Sequence, residues 1–576
     1  MIECYAHWVI RWRYLIILAT LLMLGALSSG GFSLRFDTDI QVFFSKDNPQ
    51  LLAFEDLQQT YTKNDGVLFV LAPHDGQVFT HKTLDAVEWL TNEAWQIPYS
   101  IRVDSISNFQ HTYAQKDELI VEDLITDALS LSDAGMAHAK KIALSEPLLA
   151  NRLISPTAHV TGINVTIQLP DQNIETATPE IAAFVRELAD KVRARYPHID
   201  VHLTGIVMMN NAFPEAFKGD MGSLIPLMYV IIIILLGLLL RGFFGTFATL
   251  LVISFSTVAA MGVAGLFGIT LNGPSSTAPI MILTLAVADS VHFLVTLGHE
   301  MRINGREKSE AIVESLRINF QPIFLTSLTT AIGFLSMNFG DVPPFHDLGN
   351  IVATGIVIAF LLSVSFLPAL MAILPMRCRA AKTTQAMDQL AEFVIAWRQR
   401  LMWGVGGIML LLIAFLPRNE LNDVFVKYFD ESFEIRRATD FATENLTGIY
   451  DIHYSLSASE PEGISQPEFL HIVSEFAEWY RQQPEVIHVS TITDTFKRLN
   501  KNLHDDDPAY YRLPEQRDLA AQYLLLYEMS PPRLVFTTSF FGGSSVFLIK
   551  STYSTALSIF FFISITSFLK SYKTTL

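Results

Sequence analysis

The sequence predicts a polytopic α-helical membrane protein with α+β extracytoplasmic domains, built as a tandem duplication of a six-helix unit whose second copy is incomplete. Half of its 576 residues are apolar and only 17% are charged, which is too hydrophobic for an ordinary soluble multidomain protein. Several windows exceed the roughly 18 apolar residues that about 30 Å of hydrocarbon requires. A short pattern near the N-terminus also returns late in the chain.

Seven apolar stretches are predicted to cross the membrane. They cover residues 14–31, 223–240, 246–268, 277–297, 321–339, 349–375 and 401–417. Arg11 and Arg13 precede the first stretch as in a secretory signal. The same arrangement recurs inside the chain, where no signal can stand, so we expect an uncleaved anchor. Residues 546–569 form a marginal eighth candidate because they include Lys550 and many hydroxyl side chains.

The distribution of Lys and Arg predicts the orientation. The loops near residues 269–276 and 340–348 contain neither residue type, whereas the other side carries the basic residues. The basic set is Arg11, Arg13, Arg241, Arg302, Arg306, Lys308, Arg317, Arg377, Arg379, Lys382, Arg398 and Arg400. We therefore expect the N-terminus in the cytoplasm and the large domain outside. If the source is a Gram-negative bacterium, this places a multi-pass protein in the cytoplasmic (inner) membrane with the large domain in the periplasm.

An internal repeat predicts the domain organisation. Residues 6–13 (AHWVIRWR) match residues 391–398 (AEFVIAWR), and each match begins a membrane helix that leads into a polar region. Parallel repeats of this kind are typical of transporters. The expected order is a first membrane helix (1–31), an extracytoplasmic α+β domain (32–222), a five-helix bundle (223–375), a cytoplasmic linker (376–400), a seventh helix (401–417), a partial second extracytoplasmic domain (418–530) and an atypical hydrophobic tail (531–576).

The tail differs in character from the rest of the chain. It is rich in Phe, Ser and Thr, and no acidic residue follows Glu528. We expect a frameshifted or truncated second copy, and the alternative is a divergent native tail.

Charge and motifs exclude several function classes. The net charge of −17, without a basic stripe, argues against a nucleic-acid partner. Cys4 and Cys378 are the only cysteines and support neither a disulfide framework nor a metal site. The chain has no zinc-protease, nucleophile-elbow or phosphate-loop motif, so we expect no enzyme activity, no cofactor and no metal.

Asp289 is the strongest candidate for a functional residue. It lies within an apolar predicted span, where a carboxylate costs roughly 2.5–3.5 kcal/mol or more unless it is protonated, paired or hydrated. We expect it to couple protons to transport, with Ser290 and His292 as hydrogen-bonding or relay groups. The alternative is a carboxylate that caps a helix or reaches toward the membrane surface.

The next span is rich in small and hydroxyl residues. Thr326, Ser327, Thr329 and Thr330 could face Asp289 as relay groups. Simple helix–helix packing is the alternative role for these side chains.

These motifs together resemble the RND superfamily, in particular the MMPL-type and sterol-sensing-domain-like exporters. The resemblance rests on residues 286–292 (AVADSVH), 310–316 (EAIVESL), 325–334 (LTSLTTAIGF) and 366–370 (FLPAL), and it extends over residues 1–530. It implies proton-motive-force-driven export of hydrophobic or amphipathic, lipid-like or drug-like molecules, with membrane lipids, cargo and protons as partners. Homo-oligomerisation stays open.

Three features depart from that family pattern. Ser290 stands where such pumps often place a second acidic or an aromatic residue, and relay residues of a second bundle are missing. Without that bundle the transport pathway would not close. The competing functions are therefore a non-transporting membrane lipid sensor or scaffold and an inactive truncated copy of the exporter.

Overall fold

The computed structural model describes residues 2–37, 40–60, 65–115, 118–170, 174–240, 242–375, 385–419, 424–448, 450–458, 463–529 and 544–551. The chain divides into two compact units. Met1–Asn48 and Phe213–Leu421 form the first, called the membrane unit, and Pro49–Ala212 and Asn422–Leu576 form the second, called the polar unit. Cys378 of the predicted linker and residues 531–543 and 552–576 of the predicted tail lie outside the described residues.

The described helices are numbered in chain order. They are α1 (Ile2–Arg11), α2 (Arg13–Ser28), α3 (Pro49–Thr60), α4 (His81–Ala94), α5 (Asp133–Ser145), α6 (Ile174–Arg195), α7 (Ile206–Leu240), α8 (Phe243–Leu266), α9 (Ala278–Arg302), α10 (Lys308–Leu335), α11 (Pro343–Leu361), α12 (Leu367–Ile373), α13 (Gln385–Phe415), α14 (Glu434–Asn445), α15 (Pro467–Arg481), α16 (Ile492–Asn502) and α17 (Arg517–Met529). The strands are β1 (Asp65–Pro73), β2 (Ser100–Asp104), β3 (Gln110–Gln115), β4 (Glu118–Asp123), β5 (Thr161–Ile167), β6 (Ile199–Thr204), β7 (Tyr450–Ser457), β8 (Val486–Ser490) and β9 (Ser544–Ser551).

Seven helical segments of the described chain are long and apolar enough to span a membrane. They contain α2, the helices α7 to α11 and α13, so the prediction of a polytopic helical membrane protein is confirmed. Three helices begin well before their apolar parts: α7 starts at Ile206 rather than 223, α10 at Lys308 rather than 321, and α13 at Gln385 rather than 401. Hydropathy detects only the apolar part of a helix, whereas the backbone hydrogen bonds continue through the polar turns.

Three glycines let α8 cross α2 and the 3₁₀ turn that follows it (Ser29–Ser33) at very short range. A Cβ atom built at Gly262 would overlap the carbonyl oxygen of Leu27, and one built at Gly265 would overlap that of Gly30. The contact is reciprocal, because a Cβ at Gly30 would meet the carbonyl oxygen of Gly262. Small residues permit this backbone approach in membranes, where dispersion forces drive helix association.

Several buried apolar clusters hold the other helices of the membrane unit together, and two of them are the largest. One joins Ala248 and Val252 of α8 to Phe293 and Leu294 of α9, together with the segment that follows α11. The other includes Ile282 of α9 and further residues of α8, α10 and α11. In contrast, the spanning part of α13 buries none of its residues against the described chain.

The polar unit contains a four-stranded antiparallel sheet in the order β2-β5-β1-β6. Side chains alternate along β1, and Val67, Phe69 and Leu71 on one face are fully buried. On the other face Val70 packs with Ala442 and Leu446. Helix α14, which comes from the late part of the chain, therefore covers one face of this early sheet.

A second sheet, in the order β7-β9-β8, packs with the helices of the late part of the chain. Its central strand β9 includes the first residues of the marginal eighth span, which are extended here. The early hairpin β3–β4 also joins this part, because Leu119 packs against the cluster around Phe496 and Tyr523. The early and late parts of the polar unit thus exchange structural elements in both directions.

A buried hydroxyl pair between the two parts gives a first testable prediction. Thr204 of β6 and Thr439 of α14 are both buried, and their hydroxyls are hydrogen-bonded at 2.7 Å. Thr439→Val should destabilise the polar unit by about 1–3 kcal/mol, because it leaves the Thr204 hydroxyl buried without that partner. Denaturant unfolding of the full chain measures this. The double variant Thr204→Val/Thr439→Val should recover part of the loss, and strict additivity of the two single changes would contradict the pairing.

The hairpin β3–β4 also carries a histidine that should make the polar unit sensitive to acid. Burial lowers the pKa of His111 below its ordinary value of 6.5, and the positive charges of Arg498 and His138 lower it further. The negative charges of Glu146 and Asp506 act in the opposite direction but do not reverse the shift.

Because the folded pKa lies below the unfolded one, the unfolded chain binds this proton first as the pH falls. The stabilising contribution of neutral His111 should be complete above about pH 6.5 and should be lost as the pH falls toward the folded pKa. Unfolding midpoints measured between about pH 8 and pH 5 test this. His111→Gln should reduce the fall of the unfolding midpoint with decreasing pH. If the fall is unchanged in this variant, other titratable groups cause it.

A buried carboxylate between two membrane helices

Helix α9 places a carboxylate near the middle of a membrane-spanning segment. Asn272 and Ser275 hold the preceding turn through reciprocal hydrogen bonds, and Pro279 stands in the first turn of the helix, where proline needs no hydrogen-bond donor. Asp289 follows Ala278 by about 17 Å of helix and precedes Arg302 by about 20 Å. Both ends of the apolar helix are therefore distant from this side chain.

Asp289 is paired with a single hydroxyl of the neighbouring helix. The carboxylate is only 6% exposed, and its Oδ2 accepts a hydrogen bond of 2.9 Å from Ser327 Oγ of α10. Ser327 is equally buried. A hydroxyl can donate to an ionised carboxylate and accept from a protonated one, so this pair is compatible with both protonation states.

The other three predicted hydroxyls on α10 bond to their own helix. Thr326, Thr329 and Thr330 donate to carbonyl oxygens four residues earlier, at 2.9, 2.8 and 2.7 Å. Thr326 and Thr329 are exposed on the described chain. Among the four predicted positions on α10, the structure brings only Ser327 into contact with Asp289.

Ser290 and His292 occupy different surroundings. Ser290 is fully buried, and its hydroxyl has no hydrogen-bond partner within the described part of the chain. His292 lies one turn after Asp289 and is exposed on the described chain. The structure therefore places the two predicted relay groups on different sides of α9.

Polar groups at the two ends of α9 were not predicted as site residues. Before the helix, Asn272 Nδ2 donates to Asp347 Oδ2 of α11 at 3.3 Å. In its last turns, buried Glu300 accepts from Asn304 at 2.8 Å and pairs with Arg306 at 3.3 Å. The available sequence signal was a carboxylate near one end of an apolar stretch, Glu300 at the end of α9 and Asp347 at the start of α11. Within the described residues, no group of three His, Cys, Asp or Glu side chains could hold a metal ion.

Comparisons with known proteins place these features in a family. The chain is 25% identical over 177 residues to putative membrane protein MJ1562 of Methanocaldococcus jannaschii, covering 31% of this chain and 45% of that protein. It is 22% identical over 387 residues to probable transport protein MmpL1 of Mycobacterium tuberculosis, covering 64% and 39%. It is 29% identical over 176 residues to the hopanoid transporter HpnN of Rhodopseudomonas palustris, covering 30% and 20%.

The chain therefore aligns with less than half the length of each of these relatives. The sequence profile of the MMPL family matches residues 83–404, which is more than half of the chain and includes Asp289 and Ser327. The predicted resemblance is confirmed, and the chain belongs to the MMPL family.

Proposed function

We propose that this protein uses the proton-motive force to export hydrophobic or amphipathic, lipid-like molecules across the bacterial cytoplasmic membrane, in the manner of an RND transporter. The observation that carries the proposal is Asp289, a buried carboxylate near the middle of a spanning helix and bonded to Ser327 of the next helix. An ionisable group at such a position is expensive and typical of ion pathways. The family and the transport named for two of the relatives support it.

The proposed coupling step is a change in the charge of Asp289. When the carboxylate is ionised, Ser327 holds it by a charge-assisted hydrogen bond between α9 and α10. Proton uptake removes the charge, so the hydrogen bond between Ser327 and Asp289 becomes weaker. The two helices can then adopt a different packing, and release of the proton on the other side of the membrane restores the first one. Protonation thereby biases an equilibrium between two conformations.

The proposal includes a cytoplasmic N-terminus and a polar unit outside the membrane. The distribution of Lys and Arg supports this orientation. On the outer side, the polar unit would receive cargo that arrives from the membrane.

We also infer a tandem duplication. The 3₁₀ turns Ile40–Phe43 and Phe425–Tyr428 begin 385 residues apart. The helix pair α3 and α14, which begin at Pro49 and Glu434, and the strand pair β1 and β7, which begin at Asp65 and Tyr450, have the same separation. This is also the separation of the two matching N-terminal patterns, so sequence and element order support one ancestral unit.

Export can be tested with the full chain in proteoliposomes. A fluorescent amphiphile is loaded into the bilayer, and an imposed pH gradient, acidic on the side of the polar unit, supplies the driving force. We expect transfer of the amphiphile between leaflets only with the gradient, and a protonophore should abolish it. Gradient-independent binding without transfer would overturn export and favour a lipid sensor or scaffold.

A further inference from the structure

Two buried serines of the membrane unit have unused hydrogen-bonding capacity. Ser290 lies on α9, and Ser363 lies in the π-helical segment Leu362–Phe366 between α11 and α12. Both are fully buried, and neither hydroxyl has a partner in the described part of the chain. By contrast, the equally buried Thr249 donates to the carbonyl oxygen of Gly245 in its own helix. Buried hydroxyls normally have such partners.

The register of α9 and α11 brings these serines to the same level. At Gly355 of α11, the side chain of Ile282 is the nearest neighbour of an added Cβ atom. One turn later Ala286 and Ala359 belong to one buried cluster. In both pairs the residues are 73 positions apart, and Ser290 and Ser363 continue that series by one more turn. The two helices are separated by one intervening span, so they run in the same direction.

Ser363 lies in a π-helical segment, Leu362–Phe366. A π-turn forms hydrogen bonds to the fifth residue, which shifts the usual pairing of backbone carbonyls, and such turns occur often at functional sites. A buried water needs two to four polar partners. The two serine hydroxyls meet the lower limit of that requirement, and the carboxylate of Asp289 is on the residue next to Ser290.

We propose that Ser290 and Ser363 bind an ordered water between α9 and α11, beside Asp289. The role of this water rests on the proposed function, because it would carry protons only if Asp289 couples protons to transport. A water at this position can accept a proton and pass it on within an otherwise apolar helix interface. It lies on a different side of α9 from Ser327. The existence of the site does not depend on transport, so the two proposals can fail separately.

Radiolytic hydroxyl labelling tests the site, because millisecond X-ray pulses generate radicals from bound water inside a protein. The full chain is labelled in detergent, and oxidation is read by mass spectrometry at Phe293 and Phe366. Each phenylalanine is three residues after one of the serines and only 1–2% exposed. We expect both to be oxidised despite their burial, with loss of labelling in Ser290→Ala/Ser363→Ala.

Matched variants make the result specific. Thr249→Ala removes a buried hydroxyl that is already satisfied within its helix and should leave the labelling unchanged. Each single serine variant should lower it, which keeps the test usable if the double variant unfolds. Asp289→Asn should leave it intact even where transport is lost. Unlabelled Phe293 and Phe366 in the original protein, or labelling unaffected by loss of both serines, would overturn the proposal.

Discussion

Replacing Asp289 by Asn is expected to reduce proton-driven export to the level of protein-free liposomes. Asparagine keeps the size of the side chain and can still bond to Ser327, but it cannot bind and release a proton in the physiological range. The coupling step is then lost while the packing of α9 and α10 is retained. The measurement is proton uptake and amphiphile transfer in proteoliposomes, with equal amounts of folded protein confirmed by size-exclusion chromatography.

Ser327→Ala and Thr326→Ala are the matched variants for that experiment. Ser327→Ala removes the hydrogen bond to the carboxylate and should weaken the ionised state by about 1.5–3 kcal/mol, so transport should fall without disappearing. Thr326 donates only to Pro322 of its own helix, and its loss should have little effect. A fully active Asp289→Asn protein would reject proton coupling and favour the sensor function.

Gly262→Leu is expected to prevent stable assembly of α2 with α8. A side chain at this position would occupy the space of the Leu27 carbonyl group, and backbone atoms cannot move aside as a flexible side chain can. The helices would have to separate, with loss of close packing that costs about 3 kcal/mol or more. Thermal unfolding in detergent should show a strongly lowered midpoint or little folded protein.

Gly237→Ala is the matched control for this prediction. Gly237 lies in spanning helix α7, and apart from its chain neighbours and the nearby backbone of α7, no described atom lies within 4 Å of where its Cβ would stand. Replacing this glycine should leave stability unchanged or raise it by up to about 1 kcal/mol, because alanine has the better helix propensity. Gly262→Ala should be the more damaging of the two alanine variants. Equal midpoints for both would mean that the glycine crossing does not hold α2 against α8.

The sequence predicted the spanning helices well because hydrophobicity is a local property. The hydropathy of each apolar stretch can be recognised without knowing what it packs against, so all seven spans were predicted. Their ends were harder to predict, because α7, α10 and α13 continue through polar residues where hydropathy carries no signal.

The organisation of the polar unit could not be read from the sequence in the same way. The chain order suggests one early and one late domain. However, α14 covers a face of the early sheet and the hairpin β3–β4 packs into the late part, so both belong to one compact unit. Such exchanges depend on contacts between residues hundreds of positions apart, for example Thr204 with Thr439.

The candidate site shows the same division between local and tertiary information. The sequence by itself determined that this is a membrane protein of the MMPL family with a carboxylate inside a span, because a charged residue in an apolar run is visible in one dimension. Only the tertiary structure decided that Ser327, rather than its threonine neighbours, contacts Asp289, and that the buried Ser290 and Ser363 hydroxyls have no partner in the described part of the chain. The physical reason is that packing around residues such as Gly355 fixes how each helix is rotated about its axis and how closely it approaches its neighbour. This rotation and spacing determine which hydroxyls face the interior.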